Sequence, residues 1–136
     1  MGDIGVVRGG DSGYARAVKC LAGGAIEQGD LVAFHSVDGE IVKVAANGID
    51  PIGVAMEDIA DTEYGMVMRV GPNAIIEGTT ASDSGLLQGD EVGLTVDGGT
   101  GAITFDKDAS NIVGYVYKVL STTRCQVRLI ATGQKI

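Results

Sequence analysis

Gln28-Gly29-Asp30-Leu31-Val32 returns as Gln88-Gly89-Asp90-Glu91-Val92, an interval of 60 residues between 28 and 88. Further landmarks follow at nearly the same spacing. Asp38-Gly39 returns as Asp97-Gly98, Ile52-Gly53-Val54 as Val113-Gly114-Tyr115, and Met66-Val67-Met68-Arg69-Val70 as Cys125-Gln126-Val127-Arg128-Leu129. Order and spacing both survive, which marks a duplicated supersecondary unit. A unit of about 55–60 residues is marginal alone, so the two copies are expected to complete each other's core in one domain.

Within each copy, short apolar runs alternate with turn signals. Leu31 to Phe34 reads as a strand, and Asp38-Gly39 is a hairpin signal leading into Ile41-Val42-Lys43-Val44. Ile52 to Met56 and Gly65 to Val70 follow, then Val92 to Val96, Ala102 to Phe105 and Ile112 to Leu120. Strand side chains alternate between faces, so Met66, Met68 and Val70 share one face and Val67 and Arg69 the other. At the noted spacing Cys125, Val127 and Leu129 take the equivalent face in the second copy. The expected fold is all-β: a small barrel or sandwich of two similar units, about 23–78 and 83–133, inside one domain at 18–136. Residues 1–17 lie outside the repeat, carry Gly2, Gly5, Gly9, Gly10 and Gly13, and read as an extended N-terminal arm.

Composition narrows the function. The net charge of −8 opposes binding to a phosphate backbone, so nucleic acid is excluded as a partner. No apolar run is long enough to cross a bilayer and no basic-then-apolar leader opens the chain, so a protein made in a cytoplasm, without membrane contact, is expected. Cys20 and Cys125 stand apart with no Cys-x-x-Cys pair, which points to reduced, structural thiols. The 22 glycines and only 4 % aromatic residues call for many turns and few long helices.

Gly10-Asp11-Ser12-Gly13 matches the nucleophile tetrapeptide of chymotrypsin-like proteases, but the only histidine, His35, follows the serine instead of preceding it. Asp106-Lys107-Asp108 starts like a calcium loop, yet the sixth and twelfth positions are Asn111 and Tyr117 where Gly and Glu are needed. Gly98-Gly99-Thr100-Gly101 lacks the rest of a dinucleotide or P-loop fingerprint and reads as a hairpin loop. Glu57, Asp58 and Asp61 could supply an acid/base pair for a hydrolase, but read more simply as a solvated acidic face. No enzyme, cofactor or metal is expected.

The paired Gly-Asp-x-Val starts, the Ile52-Gly53-Val54-Ala55 element and the endings Val67-Met68-Arg69-Val70 and Val127-Arg128-Leu129 together resemble the small capsid decoration, or cement, proteins of tailed bacteriophages. The similarity covers about Gly23 to Ala131. The resemblance implies a structural virion protein on the outer surface of the expanded head, clamping neighbouring major capsid subunits, as a homo-oligomer with a trimer ahead of a dimer. It further implies that the arm lies on the shell, with Ile4, Val6, Val7, Arg8, Tyr14 and Arg16 as the contact residues. On that expectation, deleting Met1 to Ala17 leaves a folded core that binds weakly. The alternative is a cradle-loop-type β-barrel, two interlocked copies forming one barrel that serves as a binding or regulatory module.

Overall fold

The computed structural model describes residues 2–9, 15–48, 51–81 and 85–130. Those residues form eleven strands and no helix: β1 (Gly5–Arg8), β2 (Ala15–Ala22), β3 (Leu31–Phe34), β4 (Glu40–Lys43), β5 (Gly53–Ala55), β6 (Tyr64–Val70), β7 (Ile75–Thr79), β8 (Glu91–Val96), β9 (Ile103–Asp106), β10 (Ile112–Val119) and β11 (Arg124–Leu129). Strands β2-β4-β3-β5-β6 close into a barrel, and the rest form a sheet in the order β1-β7-β11-β10-β8-β9.

The second sheet repeats the first barrel strand for strand. The antiparallel pairs β2–β6, β3–β4, β3–β5 and β5–β6 reappear as β7–β11, β8–β9, β8–β10 and β10–β11. The parallel closure of the first barrel, Ala22↔Ile41, is matched by the parallel bridge Thr80↔Phe105. The chain is therefore all-β, two similar barrel-like units side by side, as the repeat predicts. The first unit closes on itself with strands of its own copy alone, and the second is a sheet whose ends meet at that single bridge, so the interlocked single barrel of the cradle-loop alternative is not the arrangement found. The units run Ala15–Val70 and Ile75–Leu129, so copies bounded at 23–78 and 83–133 each begin one strand late, and an arm boundary at 17 falls inside β2.

The repeated Gly-Asp has a structural cause in both copies. Gly29 and Gly89 take φ of 84° and 92°, a left-handed turn that glycine enters without a Cβ clash. The following carboxylate then folds back: Asp30 accepts the Glu27 N–H at 2.8 Å, and Asp90 accepts the Leu87 N–H at 2.9 Å. The backbone N–H groups of both aspartates are held in turn, by Glu27 O and Leu87 O, each at 3.0 Å. This closed turn aims the chain into β3 and β8.

Two hydrophobic cores result. Ile26, Val32, Ile41, Ile52, Ile59 and Val67 fill the first barrel. The larger core joins the units: Leu31, Val44, Val54 and Val70 of the first pack with Ile76, Leu94, Phe105, Val127 and Leu129 of the second. The expected shared core is real for this cluster, whereas the first barrel also holds one of its own.

The strand parity needs a one-residue correction. Val67 pairs with Ala55, and Val127 with Val116, and both valines are fully buried. The true interval at β6 and β11 is thus 60 (67 to 127), not 59. A slip of one residue exchanges the two faces of a strand. Met66 and Met68 are consequently half-exposed, while Cys125, Val127 and Leu129 do point inward.

Candidate functional site

The expected arm is docked on the body. β1 adds antiparallel to β7 through Gly5↔Glu77, Val6↔Ile76 and Arg8↔Ile75. Ahead of it, Gly2 N–H donates to Gln28 O at 3.0 Å and Ile4 N–H to Gly29 O at 3.1 Å, so the segment touches both units. Asp3 accepts from Thr79 Oγ1 and pairs with Arg124 at 3.2 Å; Arg124 also reaches Glu77 at 3.1 Å. The six proposed contact residues therefore divide. Ile4 is buried in the shared core and Val6 packs against it, whereas Val7 and Arg8 are exposed on the arm and Arg16 is exposed on β2. Tyr14 lies outside the described residues, as does the Gly10 to Gly13 motif.

Four of the other polar candidates, Glu57, Asp58, Asp97 and Asp106, hold backbone N–H groups. Glu57 accepts the Met66 N–H at 2.9 Å, and Asp58 the Gln28 N–H at 2.8 Å, so these two carboxylates tie the β5–β6 loop to separate neighbours. Asp106 accepts the Asp108 N–H at 2.9 Å, an Asx turn at the calcium-like start. Asp97 accepts N–H bonds from Gly99 at 2.7 Å and Thr100 at 3.0 Å, which hold its carboxyl below the usual carboxylate range. His35 Nδ1 lies 3.3 Å from Glu40 Oε1. Among the described residues no three His, Cys, Asp or Glu side chains gather as a metal site.

Burial pushes the Cys125 thiol up to about 11, and the half-buried Cys20 thiol upward as well. Thiolate is the reactive form. A water-soluble disulfide reagent should leave Cys125 unmodified in the native protein and titrate it once the chain is unfolded. Because the folded-state value lies above the ordinary one, this thiol's contribution to stability is complete below about pH 9 and is lost as the pH rises through about 11.

Two surfaces that the sequence reading missed stand out. A groove of about 500 Å³ runs between β2 and the β3–β4 hairpin, lined among others by Val18, Cys20, Phe34, Tyr64 and Arg69. The Arg69 guanidinium lies over the Phe34 ring, 5.2 Å from its centroid. On the second unit, the end of β10 and the turn after it expose Tyr117, Val119 and Leu120. Leu87, 69 % exposed, joins Val119 at the rim of an adjoining apolar pocket. The equivalent turn of the first unit behaves oppositely: Ile59 is buried and bridges Ile26 across the barrel end.

These features define a class of architecture: a closed β-barrel and a sheet that repeats its strand pairings in one chain, with the N-terminal strand added to the second. Among solved structures, the N base of the head fiber gp8.5 of bacteriophage phi29 has this fold, with a TM-score of 0.56 and 19 % identity over 90 % of this chain and 100 % of that one. A phage head protein thus carries the architecture. No protein-family model matches the chain, and no curated protein sequence matches it.

Proposed function

We propose that this chain is a structural, non-enzymatic virion protein of a tailed bacteriophage, made in the host cytoplasm and bound to the outer surface of the expanded head. There it stabilises contacts between major capsid subunits, as a homo-oligomer with a trimer ahead of a dimer. The observation that carries the reading is the fold shared with a head-fiber base along the whole of that chain. The decoration-protein resemblance of the Gly-Asp-x-Val and Ile-Gly-Val-Ala elements agrees with it. So does the exposed apolar surface at Leu87, Tyr117 and Val119, where Val119 borders a hollow with each of the other two, since an exposed apolar patch commonly marks a contact surface. The negative net charge suits a surface turned away from packaged DNA.

The test mixes purified protein with undecorated, expanded heads of the phage that encodes it, and follows co-sedimentation and head survival under heat. Bound heads should outlast bare ones. Absence of both binding and protection refutes the proposal.

A further inference from the structure

The duplication supplies an internal control, and one strand has no counterpart in it. In the second unit, the side of β7 facing away from β11 is covered by β1. In the first unit, the same side of β2 is covered only at its end, where Leu21 and Ala22 meet Glu40 and Ile41 of β4. Among the described residues no strand pairs on that side with Ala17 to Cys20. The groove between β2 and the β3–β4 hairpin is the space that β1 fills in the second unit.

Backbone and side chains both register the missing strand. Ala22 sends its N–H to Glu63 on the β6 side, and Gly23 sends its own to Ile41 on the β4 side. Backbone groups alternate direction along a strand, so Ala17 and Lys19 present theirs to the open side. The interior is also less covered. Val18 and Phe34 are part-exposed, whereas their equivalents beneath β1, Ile76 and Leu94, are completely buried. That equivalence is fixed by pairing: Val18↔Val67 matches Ile76↔Val127, and Phe34↔Ile41 matches Leu94↔Phe105.

We propose that the open edge of β2 accepts an extended segment of the capsid shell protein as an added antiparallel strand, in the way that β7 accepts β1. Strand addition of this kind takes affinity from main-chain bonds and specificity from alternate side chains. The groove states what the incoming strand carries. Cys20 occupies the position of Gly78, against which the Ile4 side chain rests, so the seated residue is apolar and smaller than isoleucine. Lys19 stands where the second unit has Glu77, which favours an acidic residue beside it. The identity of the donor rests on the head-binding proposal; the acceptor edge does not.

Amide hydrogen exchange of the full chain tests this, free, with a synthetic peptide of residues 2–9 carrying Ile4→Ala to meet the size limit set by Cys20, and on expanded heads. The peptide is a fair probe because its own groove on β7 is already filled. On heads, exchange at Ala17 and Lys19 should slow, and Lys19→Pro, which removes an open-edge N–H while sparing the β6 ladder, should weaken head binding about tenfold. Ala17→Pro serves if Lys19→Pro fails to fold, and exchange in the unmodified chain needs no variant. Heads that bind the chain yet leave both amides unprotected overturn the added strand while head binding stands. If the chain does not bind heads at all, the head-binding proposal falls, and the peptide decides the edge: unchanged exchange at Ala17 and Lys19 overturns it, and slowed exchange supports the acceptor edge with another donor.

Discussion

A chain lacking residues 1–9 should unfold at a markedly lower urea concentration than the full protein, or fail to fold. Ile4 is 6 % exposed in the shared core, its Cδ1 lying over Gly78 so closely that a Cβ there would be 2.5 Å away. Ile4→Ala alone should cost about 2–5 kcal/mol, the range for truncating a buried isoleucine. The deletion adds the loss of the β1–β7 ladder, the two bonds to the Gln28-Gly29 turn and the Asp3–Arg124 contact. Val7→Ala is the control: at 49 % exposure it should shift stability by less than about 0.5 kcal/mol. An arm-deleted chain with the full protein's unfolding midpoint would show that the arm is no part of the fold. The consequence for function is direct. Deletion of residues 1–17 is not a clean test of shell binding, because it also removes the start of β2; Val7 and Arg8 substitutions are.

How much of this was legible depended on whether a strand carried its own signal. The strands β3, β4, β8 and β9 could be read because Gly-Asp and Asp-Gly turns bracket short apolar runs. β1 could not, because Gly2, Gly5 and Gly9 dilute Ile4 and Val6 into a string with no sustained period, and its strand character comes from the β7 edge that receives it. β7 was missed for a related reason: Ile75-Ile76-Glu77-Gly78-Thr79 is short, and Gly78 suits a strand only because Ile4 and Phe105 press against it. The one-residue parity error arose at Met66 and Met68, apolar side chains on the outer face, which hydrophobic alternation assigns to the wrong side. The groove beside β2 left no mark in the sequence. It exists because a strand present in one copy has no equivalent in the other, and that is visible only once the pairings are known.

Gly114→Ala should be among the most damaging single-atom additions to the chain, destabilising it by at least about 3 kcal/mol, the upper end for point substitutions. A Cβ at Gly114 would lie 2.1 Å from Arg128 O, and at the equivalent Gly53 2.3 Å from Met68 O. Both obstacles are backbone, so no rotamer change relieves them, and the carbonyl can retreat only by breaking the β10–β11 or β5–β6 ladder. The glycines are required here for space rather than for a left-handed φ, since neither has one. Gly53→Ala should therefore act similarly, and because the two positions lie in different sheets the double variant should lose nearly the sum. Gly98→Ala, where a Cβ meets nothing within 4 Å, should be neutral or slightly stabilising. Chemical denaturation of the four variants separates these cases. A Gly114→Ala protein within about 1 kcal/mol of the parent would mean that β10 and β11 can part without cost, contrary to the close packing expected of a folded interior. If both glycines are indispensable, the paired Ile52-Gly53-Val54 and Val113-Gly114-Tyr115 elements are explained physically: each lets one strand pass under the carbonyl of the next in its own sheet.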